Sequence, residues 1–263
     1  MCIRLLRFIE WIANQKNGLY HSMDTSNLSM FEKWDGCGNT FGIVDYKYLD
    51  NNRITEICDS LNVDGIITYQ ILENKLQDFC WEYFNRDGSC VEMCGNGARC
   101  VAKCVSNKIN KNELKFINNF GIEMNAIVSG DNVSVKMPFW SDYERIEENV
   151  YFVKVGVPHI IKVFSYSPSM DLDRMYNFYN KLSLDRFNTT CNVSVFWTVG
   201  PVNCIRTFER GVEKETGACG TACCAAHYGS CQSQKTYVTS SGKKLTVKSS
   251  NNELWLSSDV VQY

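Results

Sequence analysis

The 263-residue chain has no apolar run near the roughly 20 residues that a membrane helix needs. Neither sign of charge dominates: 27 lysines and arginines are interspersed with 29 aspartates and glutamates, for a formal net charge of −2. That balance argues against a nucleic-acid partner, which would require a basic face. Histidine is scarce, with three residues, and no two cysteines stand in a Cys-x-x-Cys pair, so the usual zinc-site spacings are missing. No low-complexity segment or Pro/Gly/Ser linker breaks the chain. Its length suits one large domain or two ordinary ones. A hydrophobic share of 44% against 21% charged residues fits a soluble globular protein with a sizeable core.

The segment from Met1 to about Ser29 begins basic and apolar, but Glu10 and Asn14 interrupt the run that a signal peptide needs. It is expected to be an N-terminal extension (residues 1–29): a short helix, or sequence upstream of a true start at Met23 or Met30. Cysteine, by contrast, is plentiful, with fourteen residues. In a chain this long without a secretory leader they do not read as a disulfide framework. They imply a reducing cytosol, with most cysteines serving as small core residues.

Two cysteines stand out because their surroundings repeat. Cys94-Gly95-Asn96-Gly97-Ala98-Arg99-Cys100 in the first half answers Cys219-Gly220-Thr221-Ala222-Cys223-Cys224 in the second. An alternating, strand-like run precedes each: Phe79 to Phe84, then Val202 to Phe208. A small-residue stretch that reads as a buried helix follows each cysteine. A hairpin comes next: Gly121 to Met137 turning at Gly130-Asp131-Asn132, and Gly242 to Leu256 turning near Asn251-Asn252. Helices are also predicted over Asn52 to Leu61 and Asp171 to Leu184, and strands over Ile43 to Asp45, Gly65 to Ile71 and Val150 to Val155. The expected class is α/β (α+β), with duplicated domains at residues 30–138 and 139–263 and a boundary near Pro138.

The chemistry follows from the helix starts. Unpaired backbone N–H groups and the positive dipole end bind a carboxylate. Glycine after each cysteine lets a ligand approach the backbone. The same field is expected to lower a cysteine pKa from about 8.5 toward roughly 3.5–7.5. Two such starts facing each other would place one sulfur on each side of a planar carbanion, so that one takes a proton and the other returns one, inverting the carbon. Singly, Cys-Gly is a structural cysteine; the repeated pair is what points to function.

At these residues the chain resembles the diaminopimelate epimerase family. The matching segments are Phe84-Asn85-Arg86-Asp87-Gly88-Ser89 running to Glu92-Met93-Cys94-Gly95-Asn96-Gly97-Ala98-Arg99-Cys100, then Arg206-Thr207-Phe208-Glu209-Arg210-Gly211 running to Ala218-Cys219-Gly220-Thr221, and Gly36-Cys37-Gly38-Asn39. Pro158-His159 and Asn192-Val193 match more weakly. The resemblance implies two pseudo-symmetric domains, each a strand barrel or sheet around a central helix, with the site in the cleft between. It implies Cys94 and Cys219 as the acid–base pair and a reaction without pyridoxal phosphate or metal. It also implies a small amino-acid substrate, LL- and meso-diaminopimelate, for lysine and cell-wall precursors, and a homodimer. Backbone N–H groups of Gly95, Asn96, Gly220 and Thr221 would hold the reacting carboxylate. Asn39, Asn85, Asn192, Glu209 and Arg210 would line the rest of the site. Arg210 suits a distal carboxylate and the asparagines an amino-acid end group; their plain alternatives are a solvated charge and turn residues. His159 is a weaker candidate, since a lone histidine is more often a hydrogen-bonded structural residue.

Three departures bear on the substrate more than on the reaction. Val157 replaces the Asn usual before Pro-His, and losing a hydrogen-bond partner in a buried polar cluster costs about 1–3 kcal/mol. The segment from Glu209 to Cys219 is one residue longer, with Glu213-Lys214 where a single Gly is usual. Ser257-Ser258 replaces a usual Gly-Pro. Two other readings stand beside the first: a two-cysteine racemase of another amino acid, and a cysteine-rich metal or redox-sensing protein. The last rests on the cysteine count and the four-residue spacings Cys100/Cys104 and Cys219/Cys223.

Overall fold

The computed structural model describes residues 28–45, 51–72, 76–169, 171–228, 230 and 232–263. The expectation for the N-terminal extension lies outside them apart from a 3₁₀ turn that includes its last two residues, Leu28–Met30.

The first half runs β1 (Glu32–Gly36), β2 (Thr40–Asp45), α1 (Asn51–Leu61), β3 (Gly65–Ile71), β4 (Phe79–Asn85), α2 (Gly95–Ile109), β5 (Glu113–Asn118), β6 (Glu123–Ser129) and β7 (Asn132–Met137). The second runs β8 (Ser141–Glu147), β9 (Val150–Val155), β10 (Val157–Phe164), α3 (Leu172–Phe187), β11 (Asn192–Val199), β12 (Val202–Glu209), β13 (Lys214–Thr216), α4 (Gly220–His227), β14 (Gln234–Val238), β15 (Lys244–Ser250) and β16 (Glu253–Gln262). Among the described residues, parallel pairing occurs only where a helix intervenes: β2 with β3, β4 with β5, β10 with β11, β12 with β14. A parallel neighbour needs a long crossover, and the helix supplies it. All other ladders are antiparallel, and the repeat read from the cysteines is a repeat of this whole pattern.

Local chemistry explains the elements. Asn251 and Asn252 both adopt positive φ (49° and 61°), the two-residue turn that matches strand twist, between β15 and β16. Asp171 caps α3 by accepting from the N–H groups of Asp173 and Arg174. That helix continues three residues beyond its predicted end, to Phe187, and stops at Asn188 in the left-handed conformation. In α2, glycine, alanine and cysteine fill the first turns, and nearly every residue from Gly95 to Ser106 is buried. Small side chains let strands wrap a helix closely: a Cβ on Gly36 would stand 2.8 Å from both the Asn96 carbonyl oxygen and Cys100 Sγ.

Strands β1 to β7 close through β16 into an eight-stranded barrel around α2. Strand β16 pairs with β7 along one edge. Its other edge carries β15 over Glu253–Ser257 and then β1 over Val260–Gln262. It thus belongs to both sheets, with Ser257 and Ser258 inside a continuous strand and Ser257 Oγ 2.7 Å from Ser134 Oγ. The second sheet, β16 to β8 by way of β15, β14, β12, β11, β10 and β9, packs on α4 and ends at β8 with no second partner strand among the described residues. One hydrophobic core runs through both halves, from Trp34 and Phe116 to Ala225 and Leu245, with smaller clusters under α1 and α3.

Candidate active site

Cys94 is the N-cap of α2 (φ −138°, ψ 106°) and Cys219 the N-cap of α4 (φ −122°, ψ 111°), so the two cysteines hold matching backbone conformations. Each sits where a strand has ended and a helix of small residues begins. The starts converge on Leu256 of β16: a Cβ on Gly95 would lie 3.0 Å from Leu256 Cδ2, and one on Gly220 2.5 Å from the same atom. Asn96 Nδ2 donates to the Ala218 carbonyl at 3.2 Å, joining one helix start to the residue before the other. The backbone N–H groups of Gly95, Gly220 and Thr221 find no acceptor among the described residues, as expected of a first helical turn.

The thiols differ in what surrounds them. Cys94 Sγ accepts from Gly97 N at 3.3 Å and lies 4.0 Å from Asn39 Oδ1. Cys219 makes no capping bond; its Sγ is 3.4 Å from Thr221 Oγ1, and the Glu209 charge and the Ala222 N–H both act on it. The helix starts predict lowered thiol pKa values, and here the structure reverses the sign. Burial pushes Cys94 up to about 11; the Glu209 charge adds to this, and the Gly97 N–H and the Arg99 charge oppose it only in part. Cys219 is held well above the usual thiol range by burial and then by Glu209. Desolvation of the charged form exceeds what a helix start returns. Glu209 is itself raised by burial, while its bonds from Thr216 and Cys219 pull it back.

The distal residues gather on the second half. Asn192 Oδ1 accepts from the Arg210 backbone N–H at 3.0 Å, and Arg210 Nη1 donates to the Thr190 carbonyl at 3.0 Å. His159 stands opposite Asn192 in the β10–β11 ladder. It is not the hydrogen-bonded structural histidine expected of a lone His: it is fully buried, neither ring nitrogen has a partner among the described residues, and burial pushes its pKa down to about 3, with the Arg210 charge adding. A neutral, unsatisfied imidazole suits a site that expects a ligand. Asn39 Nδ2 donates to Asp64 Oδ2 at 3.3 Å, and Asn85 pairs with Gly65 beside that aspartate. Asn85 Nδ2 goes to Ser89 Oγ at 3.0 Å, the turn role that was its plain alternative. Arg210 also lines a cavity of about 640 Å³ with Lys154, Asp142, Glu144 and Pro158, which neither thiol reaches.

The extra residue before Cys219 has a defined place. Glu213 takes φ 54°, and its carboxylate accepts from Gly211 N at 2.9 Å and from the Tyr176 hydroxyl at 3.1 Å. It ties the Arg210 loop to α3. Three residues were missed from sequence: Leu256, Tyr83, whose phenol feels the charges of Cys94 and Glu209, and Arg99, which is fully buried. The signal for Arg99 was available, as the one charge in the first two turns of an otherwise small-residue helix. The metal reading finds no support in geometry: no three His, Cys, Asp or Glu side chains are grouped to hold an ion among the described residues. None of the described helices is long and apolar enough to cross a membrane.

Two related lobes packed through one shared strand define the epimerase and racemase fold. The phenazine biosynthesis protein of *Enterococcus faecalis* shares it at TM-score 0.65 and 14% identity, over 89% of this chain and 96% of that one. A probable proline racemase from *Agrobacterium radiobacter* does so at 0.62 and 8%, over 89% and 90%. The model of the family described as diaminopimelate epimerase matches residues 31–137. The diaminopimelate epimerase of *Thermotoga maritima* is 31% identical over 85% of this chain and 95% of its own. That of *Campylobacter jejuni* (serotype O:6) is 32% identical over 75% and 80%. The chain belongs to the diaminopimelate epimerase family, and it is an isomerase, an amino-acid epimerase.

Proposed function

We propose that the chain interconverts LL- and meso-diaminopimelate, serving lysine and cell-wall precursor synthesis, with Cys94 and Cys219 as the two bases. The observation that carries this reading is the pair of matched N-cap cysteines, each followed by a glycine packed on Leu256, with the Glu209 carboxylate beside Cys219. The N–H groups of Gly95, Asn96, Gly220 and Thr221 hold the reacting carboxylate, where negative charge develops as the α-proton leaves. Both thiols begin protonated. Glu209 takes the Cys219 proton, the freed sulfur takes the α-proton, and Cys94 delivers its own proton to the opposite face. The reverse direction runs back from that state: the Cys94 thiolate takes the α-proton, Cys219 returns its proton from the other face and Glu209 gives its proton back to Cys219; between forward turnovers the Glu209 proton returns to Cys94 through solvent. His159, Asn192 and Arg210 face the far end of the substrate, with Asn39 and Asn85 on the other side. The direct test is purified protein with LL-diaminopimelate in deuterated water. Deuterium should enter the α-position with formation of the meso isomer; no incorporation would sink this reading.

A second reading, a racemase of a single-centre amino acid, draws on Val157, an apolar residue beside Pro158-His159 on β10. Chiral chromatography of a panel of amino acids decides between them. Inversion of one of these with diaminopimelate untouched would favour the second.

A further inference from the structure

Arg99 is fully buried and has no carboxylate partner among the described residues. Its Nη1 donates to the Gly95 carbonyl at 3.1 Å and its Nη2 to Asn96 Oδ1 at 2.8 Å, while Nε has no partner. Burying a cation without an anion is costly, and it persists only where something else depends on it. What depends on it is the sense of one amide. A guanidinium only donates and a carbonyl only accepts. With Arg99 on one side and the Ala218 carbonyl on the other, the Asn96 side chain has a single orientation that satisfies both: Oδ1 toward Arg99 and Nδ2 toward Ala218, at 3.2 Å. Ala218 is joined by a peptide bond to Cys219, and Asn96 lies two residues after Cys94. This strap crosses 122 positions of sequence and ties one helix start to the other.

We propose that Arg99 is a positioning residue: by fixing the Asn96 amide it holds the Ala218–Cys219 segment at a set distance from Cys94, and so couples the two thiols across one substrate carbon. The proposal rests on the two-thiol reading above. The Arg99 charge also opposes the upward shift of the Cys94 pKa, so the residue acts on the same sulfur from behind.

Two variants probe it. Arg99→Lys keeps the charge and loses the fork. Asn96→Asp keeps an acceptor for Arg99 and loses the donor to Ala218. In a coupled site, deuterium enters mainly with inversion; with the thiols out of register, one sulfur still exchanges the α-proton while the other fails to deliver. Both variants should therefore lose roughly 30-fold or more in inversion turnover with KM changed less than about threefold. The ratio of deuterium exchanged into unreacted substrate to inversion should rise about tenfold. A second readout needs no turnover: diamide oxidation joining Cys94 to Cys219, followed by peptide mass mapping, should slow about tenfold in each variant. Folded variants with the wild-type exchange-to-inversion ratio and disulfide rate would overturn the proposal. So would loss of folding in both, which would make Arg99 a structural residue only. If the wild-type protein inverts no amino acid, the two-thiol reading fails, whereas the disulfide rates still judge the strap.

Discussion

The two helix starts are alike in backbone and unlike in surroundings. Cys94 heads a fifteen-residue helix enclosed by a closed barrel, and its sulfur is bonded by its own first turn. Cys219 heads an eight-residue helix against an open sheet, and beside its own first turn, Thr221, its sulfur also meets the charge of Glu209. The two cysteines are equivalent in backbone geometry. Their surroundings make one a capped thiol and the other a thiol with an acid beside it. An epimerase needs both faces served, but the two need not be served by the same device.

That contrast can be broken in steps, beginning with the sulfurs themselves. Cys94→Ala and Cys219→Ala should each lower inversion on the order of 10⁴-fold, and the double variant should be no worse than either single, because the thiols act as a unit. Chiral chromatography after hours of incubation measures this, and near-normal turnover in one single variant would make the halves unequal in kind.

The seam comes next. Leu256 is fully buried against both starts, so Leu256→Ala should cost about 2–5 kcal/mol in urea unfolding. Glu209→Gln tests the acid of one side only. kcat/KM should fall about 100-fold, equally in both directions since the equilibrium constant is fixed, while Asn39→Ala beside Cys94 should cost only a few-fold.

Alkylation separates the free thiols by pH. Because Cys94 is raised to about 11, its reaction with iodoacetamide should be slow at neutral pH and climb steadily through pH 9 and 10, with Cys219 slower still at each pH. Fast labelling at pH 7 would mean that the helix start outweighs burial after all. The smallest effect compares the two glycines. Gly220→Ala meets Leu256 at 2.5 Å and Gly95→Ala at 3.0 Å, so the first should destabilise by about 1–3 kcal/mol and the second by less.

Much of this was legible in the chain. The alternation in Phe79–Phe84 marked β4, the Asn251-Asn252 pair marked the last hairpin turn, and the repeated Cys-Gly marked two helix starts. These are local signals, set by side-chain period and turn chemistry within a few residues. Three features escaped. Strand β16 pairs with β1 more than two hundred positions away. Arg99 is buried only because a barrel closes over its helix. The thiol pKa values rise rather than fall, because burial comes from every element packed around a sulfur and not from the helix it caps.

Sequence by itself determined most of the elements and marked Cys94 and Cys219 as the starts of two similar helices, since each follows from neighbours along the chain. Only tertiary structure decided that the lobes share a strand, that Asn96, bonded by a buried Arg99, reaches the residue before Cys219, and that burial raises both thiol pKa values. Those outcomes depend on which surfaces lose water when distant segments meet, and no local pattern of residues encodes that.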